Sequence, residues 1–235
     1  MSDADGTRIE ELIRRFQALL ERQRTDEVTS YLAAIRVEPE SLAPYLHFGD
    51  THYTRNLIFK SDLFELLALG WGPGHRSWIH NHRGQHCWMA VTEGTLAVRN
   101  YRRLGCDQAL RTVRLLPTSE YLIAPGSIAQ VDPIEPVHAV WNPTGLGRRA
   151  VSLHVYSLPY DTCVSYDDAQ GVCRDVTMFY TSEHGVRVDR HRGGGRLADL
   201  PGCVCTLTPG EQDAHCGAIR TSQAPPRRGG SADPR

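Results

Sequence analysis

Residues 80 to 94 read HNHRGQHCWMAVTEG, and the first eight positions hold His80, His82, His86 and Cys87. Imidazole and thiolate are ligands for transition metals. In a strand, residues i and i+2 point to the same face, so His80 and His82 could grip one ion from a single β-segment. A third ligand must then come from another strand, and His138, in the strand-like run PVHAVWN, is the candidate. His86 lies beyond the RGQ break and is expected to face away from the metal. Three histidines alone name no single metal, because imidazole suits iron, copper, nickel and zinc.

These residues need a frame. Ile9, Leu12, Ile13, Phe16, Leu19 and Leu20 recur at helical spacing and predict an amphipathic helix over about 7–24. Val28, Tyr31, Leu32 and Ile35 predict a second helix to about residue 37, ended by Pro39. From about residue 50, short runs rich in Val, Leu, Tyr and Trp alternate with Gly, Pro and Asp turns. HCWMAV, TLAVRNYRRL, EYLIA and AVSLHVYSL are examples, and TEGT at 92–95 reads as a tight hairpin. This spacing predicts an all-β barrel or sandwich over about 50–187, preceded by the two helices. Trp71, Trp78, Trp88 and Trp141 are expected to fill it.

After residue 187 the chain is rich in Gly, Pro and Arg and poor in apolar side chains, so 188–235 is expected to stay disordered. Cys203, Cys205, His215 and Cys216 fall in that tail, where two ligand pairs without a folded frame are weak evidence for metal. With 26 basic and 27 acidic residues the net charge is −1, which gives no reason to expect nucleic acid or an anionic membrane as partner. The polar N-terminus does not read as a targeting signal, and no apolar run approaches the roughly 20 residues that span a bilayer. Seven cysteines, an odd count, argue for reduced thiols rather than a disulfide framework. A cytoplasmic monomer is the expectation.

Gly74, His80, His82 and Gly94, with His138 and Asn142, follow the two motifs of the cupin superfamily, a small β-barrel or jelly roll. One position departs from them: Cys87 stands where the first motif has glutamate. With that departure the chain resembles the cysteine dioxygenase branch of the cupins over roughly residues 5–187. The matching stretches are HYTRNL (52–57), WGPGHRSWIHNH (71–82), HCW (86–88), VSLHVYSLPYDTC (151–163) and VTMFYTSEHGVR (176–187). The resemblance implies Fe(2+) held by His80, His82 and His138, and a substrate carboxylate bound by Arg55. It also implies an active-site Tyr156 supported by Ser152 and His154, Tyr53 near the same pocket, and a thioether between Cys87 and Tyr156. Bacterial relatives with glycine at the position of Cys87 lack that cross-link.

The residue types agree with those roles. Without the glutamate, the ion keeps its full charge until an anionic substrate arrives. A thiolate would supply that charge, and metal binding would favour its deprotonated form. An amine and O2 could take the remaining positions, and Arg55 can clamp a carboxylate through paired hydrogen bonds. The expected function is therefore oxidation of L-cysteine by O2 to 3-sulfinoalanine (cysteine sulfinate). The alternatives are another small thiol such as 3-mercaptopropionate, or a non-catalytic cupin that binds a metal or ligand. A zinc isomerase of the cupin type would be expected to keep the glutamate. Taken singly, each residue has a plainer reading: Cys106 and Cys163 as small buried apolar groups, and His75, His86 and His154 as structural.

Overall fold

The computed structural model describes residues 6–107, 111–131 and 137–188. The expected tail and its Cys203, Cys205, His215 and Cys216 lie outside the described residues.

Helix α1 spans Ile9–Glu21, burying Ile9, Leu12, Phe16, Leu19 and Leu20 along one stripe. Glu10 and Glu11 sit in its first turn, where a carboxylate complements the helix dipole. Helix α2, Thr25–Ala34, buries Val28 and Leu32. Pro39 does not terminate α2, which ends five residues earlier at Ala34 and is followed by an extended Ile35. It opens a short helix instead, α3 (Pro39–Leu42), at a first-turn position where its missing N–H has no partner to lose.

Among the described residues thirteen strands follow: β1 (Thr54–Lys60), β2 (Phe64–Trp71), β3 (Ile79–His80), β4 (Cys87–Glu93), β5 (Leu96–Asp107), β6 (Thr112–Ile123), β7 (Ile128–Val131), β8 (Val137–Trp141), β9 (Ala150–Ser157), β10 (Thr162–Asp167), β11 (Val172–Thr177), β12 (Ser182–Glu183) and β13 (Val186–Arg187). One sheet has the order β13-β12-β1-β2-β9-β4-β7, and the other closes a ring of pairings, β10-β11-β6-β5-β8-β3. This is an all-β architecture with N-terminal helices, as expected.

Period-two alternation divides the seven-stranded sheet into two faces. Leu66, Ala68, Trp88, Ala90, Val151, Leu153 and Val155 share a core cluster with the α1 and α2 residues. Leu67, Leu69, Cys87, Met89, Val91 and Tyr156 pack in a second cluster inside the barrel. With both faces covered, all eight residues of β2 are buried. The β4–β5 turn passes through Gly94 at φ +75°, where a Cβ would lie 2.5 Å from the Arg149 carbonyl oxygen. Only glycine fits that turn.

Trp71 and Trp88 are fully buried. Trp78, against expectation, is 61% exposed. Its neighbour Ser77 is buried and accepts a hydrogen bond from the Val140 N–H. Trp141 is half-buried, with the Arg76 and Arg99 guanidinium groups over its ring at 4.9 and 5.6 Å. Among the described residues, no helix is long and apolar enough to cross a membrane.

Candidate metal centre

His80 on β3 and His138 on β8 are direct antiparallel partners. With His82 they bring one ligand nitrogen each within 4.8 Å of one another. Their ring centroids lie 4.8–5.1 Å apart. The strand argument for His80 and His82 fails, however. β3 stops at His80, and His82 lies in the segment beyond it. The buried Asn81 keeps that segment extended. Its N–H donates to the Val164 carbonyl at 3.1 Å, and its side-chain oxygen accepts from the Val164 N–H at 3.0 Å. Asn81 thus continues the pairing to β10 after the ladder has stopped. The sequence offered only its place between two histidines as a signal.

Burial lowers the pKa of all three imidazoles, that of His80 to about 4. They are therefore neutral near pH 7 and keep a nitrogen lone pair each. The His80 Nδ1–H donates to the Trp78 carbonyl at 2.9 Å, which fixes the ring and leaves Nε2 free to bind a metal. His82 Nδ1 is buried without a hydrogen-bond partner. Three neutral imidazoles converging on one point, one of them with an unsatisfied buried nitrogen, fit a divalent transition metal. Cys87 is not part of this cluster, and burial pushes its thiol well above the ordinary range.

One wall of the centre comes from β9 and its neighbours. Glu65, Tyr156 and Cys87 are register partners in a row across β2, β9 and β4 and so share the inner face. The Tyr156 ring lies 5.6 Å from that of His82. A chain of hydrogen bonds backs it. Trp71 Nε1–H donates to Ser152 Oγ at 2.9 Å, Ser152 Oγ meets His154 Nε2 at 2.9 Å, and His154 Nδ1 meets the Tyr156 hydroxyl at 3.1 Å. Burial lowers His154 to about 3, so its ring is neutral and carries one N–H. When that proton is on Nδ1 it bonds the Tyr156 oxygen, and the Tyr156 hydroxyl can donate elsewhere.

Arg55 on β1 lies over the Tyr156 ring at 5.8 Å. Its Nη2 pairs with the buried Glu65 at 3.3 Å, and its Nε is buried without a partner. Tyr53 stacks on Trp71 at 4.5 Å. His86 stacks on Trp88 rather than facing the histidine cluster. His75 accepts from the Gly72 N–H, and Asn142 ties β8 to the Trp71 and Arg148 carbonyls. The sequence reading missed Glu65 and Tyr160. The Tyr160 ring lies 5.2 Å from Tyr156 and 6.1 Å from His82. It falls within the VSLHVYSLPYDTC stretch, whose second tyrosine could have drawn notice.

The depressed histidines make the metal-free protein pH-sensitive. Each folded pKa lies below the ordinary 6.5, so the unfolded chain takes up protons that the folded state refuses. Their stability contribution is complete above about pH 6.5 and declines as pH falls toward about 4. Melts of chelator-treated protein should show Tm falling between about pH 7 and pH 5. An unchanged Tm over that interval would mean that these rings are solvated.

The cysteine dioxygenase type I family model matches residues 3–169. Human cysteine dioxygenase type 1 is 32% identical over 170 residues, covering 72% of this chain and 82% of its own length. The Rattus norvegicus enzyme of that name is 33% identical over 163 residues, 69% of this chain and 79% of its own. The Danio rerio one is 28% identical over 182 residues, 76% and 89%. Among solved structures, a cupin superfamily protein from Desulfitobacterium hafniense covers 53% of this chain and 92% of its own, at 13% identity and TM-score 0.38.

Proposed function

The chain belongs to the cysteine dioxygenase type I family, an oxygenase family, and we propose that it oxidises the thiol of L-cysteine with O2 to the sulfinic acid. The observation that carries this reading is the cluster of three neutral imidazoles with no carboxylate among them, next to a buried arginine with an unsatisfied N–H.

His80, His82 and His138 would hold Fe(II), which supplies one-electron chemistry with O2 and favours thiolate over thiol. Arg55 binds the substrate carboxylate through the nitrogens that Glu65 leaves free, satisfying its buried Nε. Tyr53 packs beside that arginine against Trp71. The hydroxyl of Tyr156, held by His154 and Ser152, donates toward the substrate or O2 and orients it. Sulfur provides all the electrons: cysteine and O2 give cysteine sulfinate and a proton, so no organic cofactor is required. A panel of cysteine, cysteamine and 3-mercaptopropionate, assayed by O2 uptake with Fe(II), tests this. Cysteine should be used best, and preference for 3-mercaptopropionate would reassign the substrate.

Cys87 and Tyr156 face each other as register partners across β4 and β9, both packed in the cluster inside the barrel. A thioether would form from Sγ to the ring carbon beside the hydroxyl. One hydrogen leaves each partner, and O2 takes up the two electrons and two protons to leave as H2O2. After turnover, peptide mapping should join the segments around residues 87 and 156 with a shortfall of two hydrogens. Cys87→Ser should lose the linkage while keeping metal and part of the activity. Mapping that finds only separate, unmodified peptides after long turnover would rule the cross-link out.

A further inference from the structure

Between His82 and Cys87 the chain passes from the ring of strands into the seven-stranded sheet. This crossover, residues 83–86, starts immediately after one of the three clustered histidines. Arg83 has φ +50°, a left-handed conformation that a side chain with a Cβ adopts reluctantly, and Gly84 follows at φ +77°. A glycine or asparagine at 83 would be easier for the backbone. The arginine side chain instead reaches across to the β10–β11 hairpin. Its Nε–H donates to the Thr162 carbonyl at 3.2 Å, and its Nη2 pairs with Asp175 Oδ1. The two side chains are only 20% and 14% exposed, so solvent screens the pair less than it would at the surface. The Gln85 N–H then turns back to the His82 carbonyl at 2.9 Å. At the far end, His86 and Ser157 tie the crossover to β9.

We propose that Arg83 is a positioning residue for the metal centre: its clamp onto Thr162 and Asp175 sets the direction from which the His82 ring enters the site. The assignment rests on the reading of His80, His82 and His138 as ligands. Asn81 holds His82 from the preceding side and Arg83 from the following one, both against the β10–β11 hairpin. The left-handed strain at Arg83 is retained because the side chain makes contacts that glycine cannot.

Arg83→Gly separates the two roles, since it eases the backbone and removes the clamp. Full-length protein stripped of metal would be titrated with Co(II), a redox-stable probe, reading both affinity and the visible ligand-field spectrum. Arg83→Gly and Asp175→Asn should each weaken Co(II) binding by about tenfold or more, as loss of groups behind a ligand commonly does, and should alter the spectrum. The exchange Arg83→Asp with Asp175→Arg should restore most of both, since aspartate tolerates the left-handed conformation. Wild-type affinity and spectrum in Arg83→Gly would overturn the proposal, whatever happens to its melting temperature. If instead the wild type binds no Co(II), or His138→Ala binds it equally well, the underlying ligand reading fails.

Discussion

Replacing His138 with alanine is expected to abolish stoichiometric metal binding and to bring O2 uptake with cysteine to background. His138 is the only member of the triad on β8, and it stands directly opposite His80. Without it, His80 and His82 remain as two neutral donors with no charged ligand beside them. Loss of a group behind a ligand commonly costs about 10–100-fold in affinity, and loss of a ligand itself should exceed that. The fold should survive, because β8 keeps its pairing to β5 and the neighbouring Val137, Ala139 and Val140 stay buried. Metal analysis of the folded variant checks this. Full occupancy with normal turnover would remove His138 from the ligand set.

Arg55→Ala carries the second large effect. In the free protein the guanidinium is shared with Glu65 and still has a buried N–H without an acceptor. A substrate carboxylate would fill that vacancy, and truncating a buried, hydrogen-bonded charge partner costs about 2–5 kcal/mol. For cysteine, kcat/KM should therefore fall by roughly 30-fold to several thousand-fold. Cysteamine has no carboxylate and should lose far less. It also serves as internal control, since the variant leaves Glu65 buried beside an empty space. Burial already raises the Glu65 pKa, so that carboxyl can relax by taking up a proton. Equal losses for both thiols would take Arg55 out of carboxylate recognition.

What the sequence made legible, and what it did not, follows from how local each signal is. Helix α1 shows itself through a stripe repeated at helical spacing, which burial against the sheet requires. The inward face of β9 is legible for the same reason: Ser152, His154 and Tyr156 alternate with Val151, Leu153 and Val155. The convergence of His80, His82 and His138 was expected from their types and spacing, but the reason given for it was wrong. A strand of two residues cannot align both His80 and His82, and the job falls to the Asn81 side chain on β10. Hydrogen bonds from a side chain to a distant backbone leave no periodic trace.

Partners far apart in the chain were equally hidden. Glu65 reads as a polar residue in a strand until β2 brings it against Arg55. Arg83 and Asp175 are 92 residues apart and meet only after the β10–β11 hairpin has formed. Pro39 opens a helix rather than ending one, since proline suits the first helical turn. Trp78 faces outward, against expectation, because size and hydrophobicity do not reveal which side of a connecting segment a residue takes.

The proposed function requires this centre to deliver both atoms of O2 to the sulfur of cysteine. Turnover of L-cysteine under 18O2, with Fe(II) and mass analysis of the product, tests it most directly. The expected product is cysteine sulfinate carrying two labelled oxygens, formed one-for-one with O2 consumed. Cystine as the only product, or sulfinate that takes an oxygen from water, would contradict it.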